Sequence, residues 1–145
     1  MPRKSTAPSV LGGPASGIAT VISSVPSDSA DDAAAGGDDQ AELALSVAAY
    51  RLQKYIGGYH VAVGGAQAIV FTAGIGENSW PFRERVVDGL GALGVELDRM
   101  ANVDRGGGAR VISTAGSAIP VLVVATDEEA AIAQATADVV RSSGA

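Results

Sequence analysis

The residues able to do chemistry gather in two short stretches. The first is Gly74-Ile75-Gly76-Glu77-Asn78-Ser79, directly after the apolar run Ile69-Val70-Phe71-Thr72. A turn needs one glycine. Two glycines followed by three polar side chains suit a place where backbone must lie against a ligand. Without a Cβ, Gly74 and Gly76 let a flat or anionic group reach the main chain. Free N–H groups at the start of a following helix would favour an anion there. Asn78 carries both donor and acceptor atoms, enough to read a base edge or a sugar. The same six residues also read as a plain strand-to-helix turn capped by Asn78 or Ser79. Gly-x-Gly is too short a pattern to choose between the two.

The second stretch is Thr126-Asp127-Glu128-Glu129. A carboxylate in the first turn of a helix can hold Mg²⁺ beside a nucleotide phosphate. It can equally cap the helix, with Thr126 as N-cap and Glu129 three residues on, and complement the dipole without any ligand. Other polar residues point to structure first. His60 is the single histidine and has no base or metal partner near it in sequence. Arg83 and Arg85 read as partners for Glu84, Asp88 or the glycine turn, with phosphate contact as the alternative. Trp80 reads as a packing residue at a helix start.

These stretches need elements to position them. Leu45, Ala48, Ala49, Leu52 and Ile56 recur at steps of three and four, which stack on one helical face. The spacing predicts a long helix capped by Asp38 or Asp39 and closed by Gly64-Gly65. Gly57 and Gly58 inside it weaken the helix, or allow another element to approach closely. "QAIVFT" predicts a central strand covered on both faces. "WPFRERVVDGLGAL" predicts a helix, with Phe82, Val86 and Leu90 on one face and Pro81 in its first turn. "GVEL" reads as a possible short strand, "DRMANVDRGGGA" as a loop, "RVIS" and "PVLVVA" as strands. "TDEEAAIAQATADVVRSS" reads as a final helix with Arg141 near its end. The order is that of an α/β layer fold. Both polar stretches follow strands, and ligands of such sheets collect at the strands' carboxyl ends.

Residues 1 to 37 are rich in Ser, Ala, Gly, Pro and Asp and read as a poorly structured or diverged segment, with at most a frayed turn near Asp31 to Ala35. Residues 38 to 145 carry the structured part, in which both polar stretches lie. The whole chain of 145 residues can bury one core, and 47% hydrophobic against 18% charged residues sets it apart from disordered chains. A net charge of −6 argues against nucleic-acid and anionic-membrane surfaces. With no cysteine, disulfides and thiolate metal sites are excluded. No apolar run reaches the length of a membrane span, and a cytoplasmic location is the expectation.

The segment "AYRLQKYIGGYHVAVGGAQAIVFTAGIGENSWPFRERVVDGLGALGVELD" resembles the C-terminal part of acetate kinases. "VISTAGSAIPVLVVATDEEAAIA" continues the resemblance in order, so that it covers about residues 37 to 141. The combination of FTAGIGENS-x-x-x-R with PVLVV-x-TDEE carries it. The resemblance implies a ribonuclease H-like, actin-like ATPase fold of the acetate and sugar kinase superfamily. It implies a phosphotransferase interconverting ATP plus acetate with ADP plus acetyl phosphate, using Mg²⁺, as a cytoplasmic homodimer. Propionate is a second possible acceptor. On this resemblance Gly74, Ile75, Gly76, Glu77 and Asn78 lie at the adenosine part of the nucleotide, and Glu128 is the magnesium-linked carboxylate.

The family's phosphate-binding strand-turn, transition-state arginines, catalytic aspartate and acyl-phosphate histidine have no counterpart here, so no catalytic residue is assigned. Its Asp-x-Arg nucleotide segment is matched at most by Asp28, with no arginine between Lys4 and Arg51. The expectation is a C-terminal fragment, inactive alone and in need of a missing N-terminal domain. Two other readings stand beside it. A NAD-binding Rossmann-like half-domain would use Gly74, Gly76 and Ser79 with Glu96 as the ribose acid, but lacks the third glycine. A non-catalytic nucleotide-binding or dimerisation module would use the long Ala/Leu-rich helix as an interface.

Overall fold

The computed structural model describes residues 18–22, 28–106 and 108–125. Strand β1 (Ile18–Ile22) is followed by helices α1 (Asp28–Ala35) and α2 (Asp39–Ala62), then strand β2 (Ala68–Thr72). Helices α3 (Gly74–Asn78) and α4 (Trp80–Asp88), a 3₁₀ turn (Gly91–Leu93) and helix α5 (Arg99–Val103) lead to strands β3 (Arg110–Val111) and β4 (Val121–Val124). The sheet order is β1-β2-β4-β3. β2 runs parallel to both β1 and β4, with Thr72 paired to Ile22 on one side and Val124 on the other. β3 closes the edge antiparallel to β4. Parallel neighbours need a long crossover, and α1 with α2 supplies it between β1 and β2.

The long helix forms where the periodicity places it. Asp38 is its N-cap, accepting from the backbone N–H of Gln40 and Ala41. Leu45, Ala49 and Ile56 are buried, and Ala48 and Leu52 pack against the same core. The end is a Schellman turn: Gly65 N–H donates to the His60 carbonyl at 2.8 Å and Gly64 N–H to that of Val61 at 3.1 Å. Both glycines have positive φ, +72° and +113°, which a side chain would oppose. His60 completes this turn, its Nδ1 accepting from Ala66 N–H at 3.1 Å. Gly57 and Gly58 serve no close approach, since a Cβ on either would meet nothing within 4 Å.

The core lies between one face of the sheet and helices α2 and α4. Ile69 and Phe71 of β2 and Val121 and Val123 of β4 point into it, against Leu45, Ile56, Phe82 and Val86. Their alternates Val70, Leu122 and Val124 are half-buried, so the two faces of β2 are not equally covered.

Four local expectations change. Residues 1 to 37, read as loop, contain β1 and a helix of 8 residues in place of a frayed turn. β1 adds a backbone ladder to β2 along its whole length, which local composition cannot announce. "GVEL" forms only a single bridge, Leu97 to Ser113. "DRMANVDRGGGA" is helical in its first half: Asp98 accepts from Met100 and Ala101 N–H and starts α5. "RVIS" contributes a two-residue strand. Thr126, Glu129, Arg141 and the helix read there lie outside the described residues.

Candidate functional site

The glycine turn is a short helix forced into place by an unusual backbone. Ala73, immediately after β2, has φ +55° and ψ +148°, and Gly74 has φ +41°. The chain thereby reverses away from the strand's carboxyl end within two residues. Glu77 steadies the reversal, its Oε1 accepting from Ala73 N–H at 3.0 Å. Asn78 Nδ2 donates to the Gly74 carbonyl at 3.0 Å. Ser79 starts the next helix, its Oγ accepting from Phe82 N–H at 3.1 Å, so Ser79 and not Asn78 is the cap.

The five residues of this turn have different surroundings. Ile75 is fully buried in the core. Gly76 is buried too, and a Cβ on it would lie 3.5 Å from the Phe71 backbone, an ordinary contact. Gly74 is exposed, and Glu77 and Asn78 face a cleft. Only backbone and the last two side chains are thus open to a ligand. Glu128 lies outside the described residues. Among the described residues no group of three or more His, Asp or Glu side chains could hold a metal ion.

Arg83 holds the turn from beneath. It is 2% exposed, and its Nη1 donates to the carbonyls of Gly76 at 2.9 Å and Glu77 at 2.7 Å. Its Nε and Nη2 donate to Asn102 Oδ1 and the Asn102 carbonyl, each at 2.8 Å. Asn102 Nδ2 in turn donates to the Trp80 carbonyl at 3.0 Å. Burial pulls the Arg83 guanidinium down to about 10, and the charge of Arg110 adds to the shift. Arg85 turns the other way and pairs with Glu42 on α2, Nη2 to Oε2 at 2.6 Å. Of the partners read from sequence, only the glycine turn is kept, and by Arg83 alone.

Two clefts flank the turn. One of about 460 Å³ lies between Asp31 and Asp32 of α1 and the Asn78–Pro81 segment. The other, about 200 Å³, lies between Glu77 and Asn78 on one side and Arg105, Gly106, Gly108 and Arg110 on the other, and Val123 and Ala125 at the β4 end also line it. Asn78, Trp80 and Arg105 border both. The smaller cleft opens at the carboxyl end of β4, the place such sheets present to ligands. Sequence reasoning missed Arg105, Arg110, Asn102 and the bordering role of Trp80. A signal was present for two of them, the cations flanking the glycines of "RGGGAR".

The sequence pattern of the acetokinase family matches residues 14–134. The chain belongs to that family. It is 68% identical over 111 residues to an acetate kinase of Arthrobacter sp. (strain FB24), covering 77% of this chain and 29% of that one. It is 66% identical over 115 residues to an acetate kinase of Micrococcus luteus, covering 76% and 30%. Among solved structures it is similar to the Porphyromonas gingivalis acetate kinase, with TM-score 0.65, 39% identity, and 77% of this chain against 28% of that one. A propionate kinase from Francisella tularensis gives TM-score 0.62 and 32% identity, covering 70% and 25%. The acetokinase chain described here therefore spans about three tenths of the length of the curated relatives it matches. Its α/β fold is part of the actin-like fold of these kinases. The dinucleotide-binding layout is displaced by that fold, and Glu96, its ribose acid, accepts instead from Thr114 Oγ1 at 3.0 Å.

Proposed function

We propose that this chain is the nucleotide-side part of an acetate kinase-like phosphotransferase, acting on ATP and acetate to give ADP and acetyl phosphate. Propionate is the alternative acceptor, and Mg²⁺ accompanies the nucleotide. The observation that carries the reading is the acetokinase match over residues 14–134 with its glycine turn at the carboxyl end of β2, bordered by two clefts. The larger cleft is of the size that takes a small ligand. Asn78 faces it with an Oδ1 to which no described residue donates. Across the cleft Asp31 Oδ1 is buried and has no hydrogen-bond partner among the described residues. A ribose, with hydroxyls that donate and accept, suits both atoms.

In this reading the Gly74–Asn78 backbone and Asn78 orient the nucleoside, and Arg83 keeps those carbonyls from shifting. Glu128 is the magnesium-side carboxylate, carried over from the resemblance. The ion would neutralise charge on the phosphates. Positioning dominates phosphoryl transfer, and the groups that hold the acyl acceptor are not among the residues named here. The 145-residue chain is therefore expected to bind nucleotide weakly and to make no acetyl phosphate. Titration calorimetry of MgATP, with NADH as the comparison, tests this. Weak MgATP binding that falls when magnesium is removed supports the reading. NADH binding without ATP binding, or acetyl phosphate formation lost in Glu128→Ala, would overturn one half of it each.

A second reading, a dimerisation module, is favoured by one feature. Leu43, Val47, Tyr50 and Val61 are exposed along the side of α2 opposite its buried face. Sedimentation at rising concentration separates it: a homodimer without nucleotide binding would favour the module. No helix among the described residues is long and apolar enough to cross a membrane. A cytoplasmic location remains part of the proposal.

A further inference from the structure

The smaller cleft has a charge the rest of the chain does not. Among its described lining residues stand Arg83, Arg105 and Arg110 against one carboxylate, Glu77, in a protein whose net charge is −6. Glu77 is already held to the Ala73 backbone. Arg83 donates to carbonyls and to Asn102, so among the described residues its charge is met by neutral acceptors. Arg110 touches the Gly106 carbonyl at 3.4 Å, and its buried Nε has no partner among the described residues. Arg105 is exposed and makes no hydrogen bond or ion pair with any described residue. Cations gathered at a concave, partly dry surface raise the potential there and favour an anion. Planar guanidinium donors match phosphate oxygens.

We propose that Arg105 and Arg110 form a phosphate subsite in this cleft, beside Trp80 and Asn78. The subsite rests on the nucleotide reading for the identity of its ligand, since Asn78, Trp80 and Arg105 border both clefts. The shared chemistry is a phosphate oxyanion, either on a nucleotide or free. A nucleoside in the larger cleft would then send its charged end past Trp80 towards Arg105 and Arg110.

The test is binding of tripolyphosphate, inorganic phosphate, adenosine and ADP to the 145-residue chain at low ionic strength. The variants are Arg105→Gln and Arg110→Gln, with Arg51→Gln on exposed α2 as the charge control. Loss of a charge-assisted contact should weaken tripolyphosphate and ADP about fivefold or more in each cleft variant. Adenosine affinity should stay unchanged in Arg110→Gln, whose residue lines the smaller cleft and not the larger, and Arg51→Gln should change nothing. ADP binding tighter than adenosine by a factor that vanishes in the double variant supports a nucleotide phosphate. Inorganic phosphate competing with tripolyphosphate, with ADP no tighter than either, supports free phosphate. Arginine-dependent tripolyphosphate binding without adenosine binding would keep the subsite and sink the nucleoside reading. No tripolyphosphate binding, or binding indifferent to both variants, overturns the subsite even if adenosine binds.

Discussion

Arg83 and Asn102, 19 residues apart, are joined twice: Nε to Oδ1 and Nη2 to the backbone carbonyl, both at 2.8 Å. Through this pair α4 and α5 are tied to the turn that follows β2. Arg83→Met keeps the volume but leaves the Gly76 and Glu77 carbonyls and Asn102 without their donor. The expected loss is about 3 kcal/mol, as for an orphaned buried polar set. Arg83→Lys should recover little, because one ammonium cannot serve acceptors on both sides. Urea unfolding measures both, and a loss below ~1 kcal/mol for Arg83→Met would show that the pair is dispensable.

Ala73 occupies a backbone region that only glycine adopts freely, at φ +55° and ψ +148°. Relief of that strain should exceed the entropy cost of a glycine. Ala73→Gly is expected to stabilise the chain by about 1 kcal/mol. Thermal denaturation checks it, and a lowered midpoint would mean that the turn is held without strain.

Gln53 of α2 donates through Nε2 to the carbonyls of Arg85 at 2.9 Å and Val86 at 3.3 Å, capping the end of α4. A Cβ on Gly89 would meet that same Nε2 at 2.1 Å. Gly89→Ala should therefore expel the cap and cost about 1–2 kcal/mol, although its φ of −83° suits alanine. In a Gln53→Ala background the same change should cost far less. A double-mutant cycle measures the coupling, and additive losses would refute the shared cause.

Glu42 and Arg85 tie α2 to α4 at the surface. The hydrogen bond from Arg85 holds the Glu42 carboxyl below its ordinary value of 4.5. A carboxyl depressed in the folded state binds its proton more readily when unfolded, so its contribution is present above the unfolded value and is lost as pH falls through the folded one. The stability gap between the native chain and Glu42→Gln should be constant above pH ~5 and close at lower pH. Unfolding followed across that range, in low and high salt, decides it; a gap that widens in acid would contradict the pairing.

Much of the scaffold was legible because its signals are local. Leu45, Ala49 and Ile56 repeat at helical spacing, Asp38 precedes them and Gly64-Gly65 follows, and all act within one helix. The apolar run before the two glycines marked β2 and the turn in the same way, and the motifs around them marked the family. β1 was not legible, since it exists as a strand through its ladder to β2, some 50 residues away. Nor were the roles of Arg83, Gln53 and Arg110. A cation or an amide reads as surface by default, and only packing decides whether it is buried against carbonyls 6, 19 or 32 residues distant. The sequence by itself thus determined helices α2 and α4, the glycine turn and the kinase family. The tertiary structure decided which side chains hold that turn and which arginines share its cleft, because those depend on distances between elements that no local pattern encodes.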